Sequence, residues 1–461
     1  MNNSQRIPAK VVAAVIATGL LSFCGVIVET AMNIAFPKLM KEFNITTNIV
    51  QWITSIYLLV VAIIVPLSAL LKTNFKTKKL FIAAASLFII GIVCDGIAPN
   101  FIVILLGRAI QGIGTGISLP LMFNIIMEQV PNSKLGMMMG FGNLITGVAP
   151  AIGPSLGGLI VTNWGWRVIF FCLLPPLAIA MVLGIWGIEQ KSTIRKVKID
   201  LFSLVLIAIT FAGLVYGFSN VSSQSFISFQ VAGAILVGLV AITLLIKHSF
   251  KLQNPILDFK LFKNLRFSGH VLIFFLVQMC SLGFAFLLPN YIQIVNNNSA
   301  LTAGLIVMPA GLAGAIFAPI GGKILDKFGP KKPILFGASL MAVAIFTFVF
   351  IATKMSNMLI MLVYIFYMLG MGMMMGTVMT SALASLTDKE QTQGNGILNT
   401  LQQFAGSMGT SLAAMIVAMS QSEKVSSEAT AIGSQHAFML LACFVVIIIG
   451  VSIKVVPKKL N

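Results

Sequence analysis

The most constraining feature of this sequence is a series of long apolar stretches that follow one another along almost the whole chain. Each is about 20 residues long, the length that an α-helix needs to cross the hydrocarbon core of a bilayer. The stretches are apolar on every face, unlike the alternating strands of a membrane barrel. Only 9% of the residues are charged, against about 25% in a soluble domain. We therefore predict an all-α protein that crosses the membrane many times.

Counting these stretches predicts fourteen transmembrane helices. Of the 30 Lys and Arg residues, 24 fall on the N-terminal side of the membrane, five on the opposite side, and Arg108 within a span. Because cytoplasmic loops are enriched in Lys and Arg, this asymmetry predicts that both termini are cytoplasmic. The net charge of +18 then reflects orientation in the membrane, and no nucleic-acid partner is expected. The predicted spans are residues 11–35, 48–71, 80–98, 101–127, 135–162, 167–188, 200–220, 227–247, 267–290, 301–325, 332–353, 357–385, 395–419 and 435–456.

Two basic loops suggest an internal repeat. Residues 68–79 and 321–332 each contain a short basic turn at the end of a span, although only the segment 321–332 has an acid and glycines. A weak repeat of this kind is typical of transporters built from two related halves. We therefore predict a six-helix half at 1–190, a two-helix insert at 191–250 and a second six-helix half at 251–461.

The fifth span is unusually rich in helix-breaking residues. Small residues allow membrane helices to approach closely, and a proline is tolerated where neighbours satisfy the freed carbonyl. This span is therefore expected to pack tightly against another helix, across the interface of the two halves, and to bend. Static packing is the alternative interpretation. The residues concerned are Gly147, Pro150, Gly153, Pro154, Gly157 and Gly158.

Glu29 and Arg108 are the two charges that the sequence places well inside spans. An ionised carboxylate is costly in a bilayer, so Glu29 is expected to exchange protons near neutral pH. The alternative is a surface carboxylate at a helix end. Arg108 keeps its charge, so it must face a cavity, find acceptors, or extend its side chain to the membrane surface. We take Glu29 and Arg108 as candidates for proton coupling.

The loop after span 10 is a candidate for a conformational latch. Asp326 lies near a helix end, where it can interact with the N-terminus of an opposing helix or with a basic residue of a loop, in one state only. Gly322, Lys327 and Gly329 complete the turn. A tight turn that carries topology-determining charges is the alternative.

Several polar residues at depth are candidates for lining a substrate cavity, although hydrogen bonds between helices explain them as well. Asp95 and Glu128, near span ends, are interpreted as interface residues. The cysteines and histidines form no cluster spaced to bind a metal, so no metal site is predicted. The cavity candidates are Asn33, Gln111, Gln402 and Gln403.

These motifs together resemble the major facilitator superfamily, and within it the fourteen-helix drug:proton antiporter family. Residues 147–158 match the antiporter motif, 106–114 the arginine motif of the fourth span, and 322–332 the cytoplasmic-loop motif. Each motif alone is weak, but their order and spacing are specific and cover nearly the whole chain.

Three positions depart from that family's pattern. The usual acid of the first span is Val28, with Glu29 beside it, and the string 29–33 resembles the branch containing lincomycin-resistance-type permeases. Thr73 replaces the acid of the first cytoplasmic loop, and Gln402 replaces a common arginine. These differences affect the proton site and the substrate charge more than the fold.

The resemblance implies a bacterial multidrug exporter of the cytoplasmic membrane that exchanges an amphipathic, neutral or cationic compound for a proton. It implies no enzyme activity, no cofactor beyond the coupling ion H⁺, membrane lipid as surroundings, and a monomer. No GxxxxGK[ST] loop occurs, so ATP is not expected to drive transport directly. An exporter of a lipid, fatty acid or metabolite is the nearest alternative, followed by a proton symporter. A channel or sensor is disfavoured because no pore-lining ring is visible.

Overall fold

The computed structural model describes residues 7–45, 50, 52–194, 200–220, 227–253, 255–420 and 427–459. Within these ranges the chain is helical and contains no β-strand. The helix α6 is interrupted at Leu173, and α8 begins with one π-helical turn. In chain order the long helices are α1 (Ala9–Phe43), α2 (Trp52–Asn74), α3 (Thr77–Gly96), α4 (Phe101–Gln129), α5 (Leu135–Asn163), α6 (Arg167–Gly187), α7 (Leu201–Asn220), α8 (Phe229–Ser249), α9 (Leu265–Ile294), α10 (Ala300–Phe328), α11 (Lys331–Ile351), α12 (Asn357–Ala384), α13 (Asp388–Ser420) and α14 (Ser427–Val455).

In the described part of the chain, eleven helices are long and apolar enough to cross a membrane, or twelve if the two arms of the bent α5 form one span. The apolar part of α2 is shorter, Trp52–Ser68. The helix α13 is not among them, since its first half is rich in charged and amide side chains. The protein is thus a multi-pass helical membrane protein, while fourteen spans and cytoplasmic termini stay predictions.

Three helices extend well beyond the predicted spans. The first ends at Phe43 instead of 35, α13 begins at Asp388 instead of 395, and α14 begins at Ser427 instead of 435. All three extensions contain polar residues. Counting apolar residues locates the part of a helix that lies in lipid and misses turns that continue into the headgroup region or water.

Side-chain caps define the start of several helices. An Asn or Ser oxygen accepts a backbone N–H of the first turn, which satisfies a donor that has no partner within the helix. These caps are Asn100 for α4, Asn264 for α9, Ser299 for α10 and Ser356 for α12.

The helices form two groups that meet along two seams. The helices α1 to α6 pack mainly against one another, as do α9 to α14. At one seam α5 packs against α10 and α12, and at the other α2 packs against α13. The hairpin of α7 and α8 lies against α2 and α13, so it covers only the second seam.

Candidate functional site

A polar network is enclosed within the first helix group, and Arg108 on α4 is its centre. The side chain is completely buried, so it does not extend to the membrane surface. Its Nη1 donates to Gln111 Oε1 at 2.7 Å, and its Nε donates to the Ile53 carbonyl oxygen at 3.1 Å. The guanidinium carbon lies 4.2 Å from the centre of the Tyr57 ring, within the range of a cation–π interaction. Arg108 thus links α4 to α2.

Asp95 is the second buried charge of this network. Gln111 Nε2 donates to Asp95 Oδ2 at 2.7 Å, which continues the chain from Arg108 to α3. The carboxylate is completely buried, so its interpretation as an interface residue was wrong. It fits because Gly107 has no side chain, since a Cβ there would lie 2.0 Å from Asp95 Oδ1. Proximity to a helix end in the sequence does not reveal which neighbouring helix covers that end.

Gln111 was predicted to line a cavity, and the structure places it elsewhere. It is completely buried between Arg108 and Asp95, and both ends of its amide are used there. An amide can accept from a guanidinium and donate to a carboxylate at the same time, so Gln111 bridges the two charges. Gln402 and Gln403 on α13 are half-buried, and the side chain of Asn33 lies outside the described residues.

Glu29 on α1 belongs to the same surroundings as Tyr57 and Arg108. One turn before it, a Cβ at Gly25 would lie 2.7 Å from Thr115 Oγ1 and 2.8 Å from Tyr57 Oη, so this glycine lets α1 approach α2 and α4. Glu29 interacts electrostatically with Arg108 and Tyr57. It is half-buried, and no described residue donates a hydrogen bond to it. Two carboxylates therefore interact electrostatically with one guanidinium, and of the two only Glu29 is partly accessible.

The glycine- and proline-rich stretch of α5 contains a bend of 41° between Leu135–Pro150 and Ser155–Val161. Its glycines pack within the first helix group and not across the seam as expected. A Cβ at Gly153 would lie 1.9 Å from Thr30 Oγ1, and one at Gly157 would lie 2.8 Å from the Ala31 backbone. The physical reason is helical rotation, because Gly153 and Gly157 lie on the face of α5 towards α1, whereas Gly136 and Gly140 lie on the face towards α10.

Among the other residues of that stretch, two lie at the exposed face of α5. Gly147 and Pro150 are exposed, and a Cβ at Gly147 would meet no atom within 4 Å. Gly158 is half-buried, and the side chain of Pro154 lies outside the described residues. The close approach to α1 therefore depends on Gly153 and Gly157.

Asp326 joins the end of α10 to the start of α5. Its two carboxylate oxygens accept the backbone N–H groups of Gly136 at 2.8 Å and Met137 at 3.0 Å. An acid at a helix N-terminus satisfies free donors and interacts favourably with the helix dipole. Gly322 allows this contact, since a Cβ there would lie 2.0 Å from the Gly136 carbonyl oxygen. The predicted interaction of Asp326 with an opposing helix N-terminus is thus present in this conformation.

The other residues of the predicted latch end α10. Gly329 follows the helix with a φ of 81°, a conformation that favours glycine. Lys327 is exposed, and its Nζ lies 5.2 Å from the centre of the Phe328 ring.

Further polar contacts lie near the same end of the helix bundle. Asn395 Nδ2 on α13 donates to the Pro120 carbonyl oxygen at 3.0 Å and to Asn124 Oδ1 at 2.8 Å. Glu128, interpreted as a plain interface residue, forms an ion pair with the buried Lys72. The described residues contain no group of three or more His, Cys, Asp or Glu side chains placed to hold a metal ion.

Enclosed charges within a bundle of membrane helices are the hallmark of proteins that move ions or solutes across bilayers. A family model described as Major Facilitator Superfamily matches residues 18–410. The chain therefore belongs to the major facilitator superfamily, as predicted, and is a transporter and not an enzyme.

Curated relatives specify the branch. The lincomycin resistance protein LmrB of Bacillus subtilis is 36% identical over 454 residues, which cover 96% of this chain and 94% of that protein. LmrB of Listeria monocytogenes is 34% identical over 414 residues, covering 90% and 87%. A multidrug resistance protein B homolog of Mycobacterium tuberculosis is 27% identical over 392 residues, covering 84% and 73%. The predicted resemblance to lincomycin-resistance-type permeases is confirmed.

Solved structures show the same fold. The proton:xylose symporter XylE, bound to 6-bromo-6-deoxy-D-glucose, aligns with a TM-score of 0.69 at 16% identity over 99% of this chain and 98% of that one. The human organic anion transporter MFSD10 aligns with a TM-score of 0.66 at 14% identity, covering 95% and 100%. Identities this low establish the fold and not the substrate.

Proposed function

We propose that this protein exports amphipathic, neutral or cationic compounds across the bacterial cytoplasmic membrane in exchange for protons. The observation that carries the proposal is the position of Glu29 on α1, one turn after Gly25 brings α1 against Tyr57, whose ring centre lies 4.2 Å from the guanidinium carbon of the buried Arg108. Ionisable groups within membrane helices are costly and are retained for transport or proton transfer. The relationship to lincomycin and multidrug resistance proteins supports export of drug-like compounds.

The transport cycle follows from the two helix groups. Residues 1–190 and 251–461 form halves that rock about a central cavity, with 191–250 as an insert and fourteen spans whose termini are cytoplasmic. Substrate enters from the cytoplasm or the inner leaflet. Glu29 accepts a proton from the outside as the substrate leaves, and releases it to the cytoplasm after the halves return. One carboxylate beside the cavity makes one proton per cycle the simplest stoichiometry.

The contacts of Asp326 support a role as a latch between the halves. Its two hydrogen bonds to the start of α5 hold the ends of α5 and α10 together, and they must break when the halves separate there. Gln402, Gln403 and Asn33 are the proposed polar lining of the cavity. The working unit is a monomer surrounded by lipid.

Transport by Glu29→Gln tests the proposal. In proteoliposomes with an imposed pH gradient, wild-type protein should move a labelled compound from a panel that includes lincomycin and a cationic dye. Glu29→Gln should lose this pH-driven transport, because a neutral amide cannot bind or release the proton. It should retain counterflow of an uncharged compound of the panel, which requires a folded carrier but neither net proton movement nor a negative charge at this position. Unchanged pH-driven transport in the variant would rule out Glu29 as the proton carrier.

A further inference from the structure

The enclosed network contains one positive charge and a potential for two negative charges. Arg108 and Asp95 are completely buried, and Glu29 interacts with Arg108 from α1. One guanidinium can neutralise one carboxylate. Because an unmatched charge is costly away from water, two ionised carboxylates beside one arginine leave one negative charge that needs a second partner.

The hydrogen bonds indicate which carboxylate Arg108 neutralises. Gln111 accepts from Arg108 at 2.7 Å and donates to Asp95 at 2.7 Å, so the amide bridges these two charges. No such bridge reaches Glu29 from any described residue. The buried pair is therefore Arg108 with Asp95, and Glu29 is the unmatched member.

Two buried atoms of the bridge have no hydrogen-bond partner among the described residues, namely Arg108 Nη2 and Asp95 Oδ1. Buried polar atoms without partners are uncommon. Because Arg108 Nη2 has no hydrogen-bond partner among the described residues, Arg108 can bind a second carboxylate when Asp95 no longer requires its positive charge. Such a change of partner would leave the hydrogen bond of Arg108 to Ile53 and its contact with the Tyr57 ring in place.

We propose that Asp95 is the resident counter-ion of Arg108, and that this pairing leaves Glu29 as the carboxylate whose charge a proton or a monocationic substrate must match. Asp95 is then a positioning residue that sets the proton affinity of Glu29 without touching the substrate. This inference rests on the proposed function for its consequence in transport. On this inference, a proton and a cationic substrate bind to Glu29 alternately and not together. Alternate binding of this kind is what exchange of the two across the membrane requires.

The charged and titratable groups around Asp95 are few. Arg108 faces it from α4, Tyr57 and Glu29 interact with Arg108 from α2 and α1, and α6 contributes Arg167. Arg167 donates to the Ala98 carbonyl oxygen just beyond α3 and pairs with Glu42, so its charge is already matched.

The pH profile of transport is the first test. In Asp95→Asn the charge of Arg108 becomes available to Glu29, which then holds its proton less tightly. The pH midpoint of proton-driven transport should move to lower pH by about one to three units. The matched control is Asp200→Asn, the same chemical change at a carboxylate outside the network, which should leave the midpoint unchanged. A wild-type profile in Asp95→Asn would overturn the proposal.

Thermal unfolding in detergent tests the charge pairing without any transport substrate, so it is independent of the proposed function. In Glu29→Gln and in Asp95→Asn, Arg108 keeps one carboxylate. In the double variant it keeps none. The decrease in melting temperature of the double variant should therefore exceed the summed decreases of the two single variants by about 5 °C or more. Two outcomes would contradict the proposal: additive effects of the two substitutions, or failure of the single variant Asp95→Asn to fold. As the control, the effects of Glu29→Gln and Asp200→Asn on the melting temperature should be additive.

Discussion

The two helix groups differ in the side chains that they bury: the first buries a charged network and the second buries a cluster of aromatic rings. In chain order, α1, α3 and α4 of the first group correspond to α9, α11 and α12 of the second. The first group carries Glu29, Asp95 and Arg108 on these helices. The second carries a buried aromatic cluster, in which Phe284 lies 4.3 Å from Tyr367 and 5.4 Å from Phe438 between ring centres. The cluster consists of Phe284, Phe348, Tyr364, Tyr367 and Phe438.

This difference separates two tasks that a transporter must perform. A cluster of rings packs by dispersion and ring geometry, and it presents the same surface at every pH. The charged network can change its protonation and its pairing. We infer that the first helix group senses the proton and the second provides a fixed surface against which the first one moves.

The largest effect is expected from Arg108→Ala, which removes the positive charge from the network of the first helix group. The substitution leaves Asp95 buried without its positive partner, so proton-driven transport should be lost. The free energy of unfolding should fall by about 3–5 kcal/mol. Arg108→Lys is the matched control, because it keeps the charge and loses the planar donors that bind Gln111. If Arg108→Ala transports and unfolds like wild type, the charged network is dispensable.

A smaller effect of a different kind is expected from Phe284→Ala on the aromatic side. Removing the ring leaves a cavity in the cluster, which should lower the free energy of unfolding by about 3 kcal/mol. The pH midpoint of the remaining transport should not move, because no titratable partner of Glu29 is affected. Phe284→Leu should lose less stability, since it fills part of the cavity. A shifted midpoint in either variant would show that the two groups do not divide their tasks.

The sequence predicted a multi-pass helical membrane protein correctly because length and apolarity are local properties, while the count of fourteen spans stays a prediction. It identified Glu29 and Arg108 because a charge inside an apolar stretch is conspicuous. It missed Asp95, since α3 ends there and only the three-dimensional packing of α4 at Gly107 encloses the carboxylate. Gln111 was misplaced for the same reason, because its amide is held between Arg108 on its own helix and Asp95 on α3.

A third prediction concerns what the two groups share. In both, a glycine lets two helices approach closely, since a Cβ at Gly153 would lie 1.9 Å from Thr30 Oγ1 and one at Gly409 would lie 2.3 Å from the Met279 carbonyl oxygen. Both variants, Gly153→Leu and Gly409→Leu, should insert into the membrane. Each should lower the free energy of unfolding by about 1–3 kcal/mol and slow the transport cycle. Thermal unfolding and counterflow measure these effects.

The control for that pair is Gly147→Leu, on the same helix as Gly153. A Cβ at Gly147 meets no atom within 4 Å, so the substitution should not lower thermal stability. Equal losses at all three positions would indicate that leucine is harmful anywhere in these helices, and the argument from close packing would fail.

The smallest effect is expected from Asp200, a carboxylate that directly precedes α7 and is partly exposed, which sharpens the contrast with the buried Asp95. Asp200 Oδ2 lies 2.7 Å from His248 Nε2 and accepts from Ser203 Oγ at 2.6 Å, at the ends of α7 and α8. Partial burial raises the pKa of Asp200, but the hydrogen bonds from Ser203 and His248 outweigh this effect and the pKa lies below its usual value.

A carboxylate with a lowered pKa stabilises the fold above its ordinary pKa, about 3.9, and this contribution disappears as the pH falls through its folded-state value. Asp200→Asn should therefore lower the free energy of unfolding near neutral pH by only about 0.5 kcal/mol, the usual value for an accessible ion pair. Thermal unfolding across an acid pH series should show the wild-type advantage shrinking as the pH falls. A loss as large as that of Arg108→Ala would mean that enclosure within the helices is not what makes the charges of the first group important.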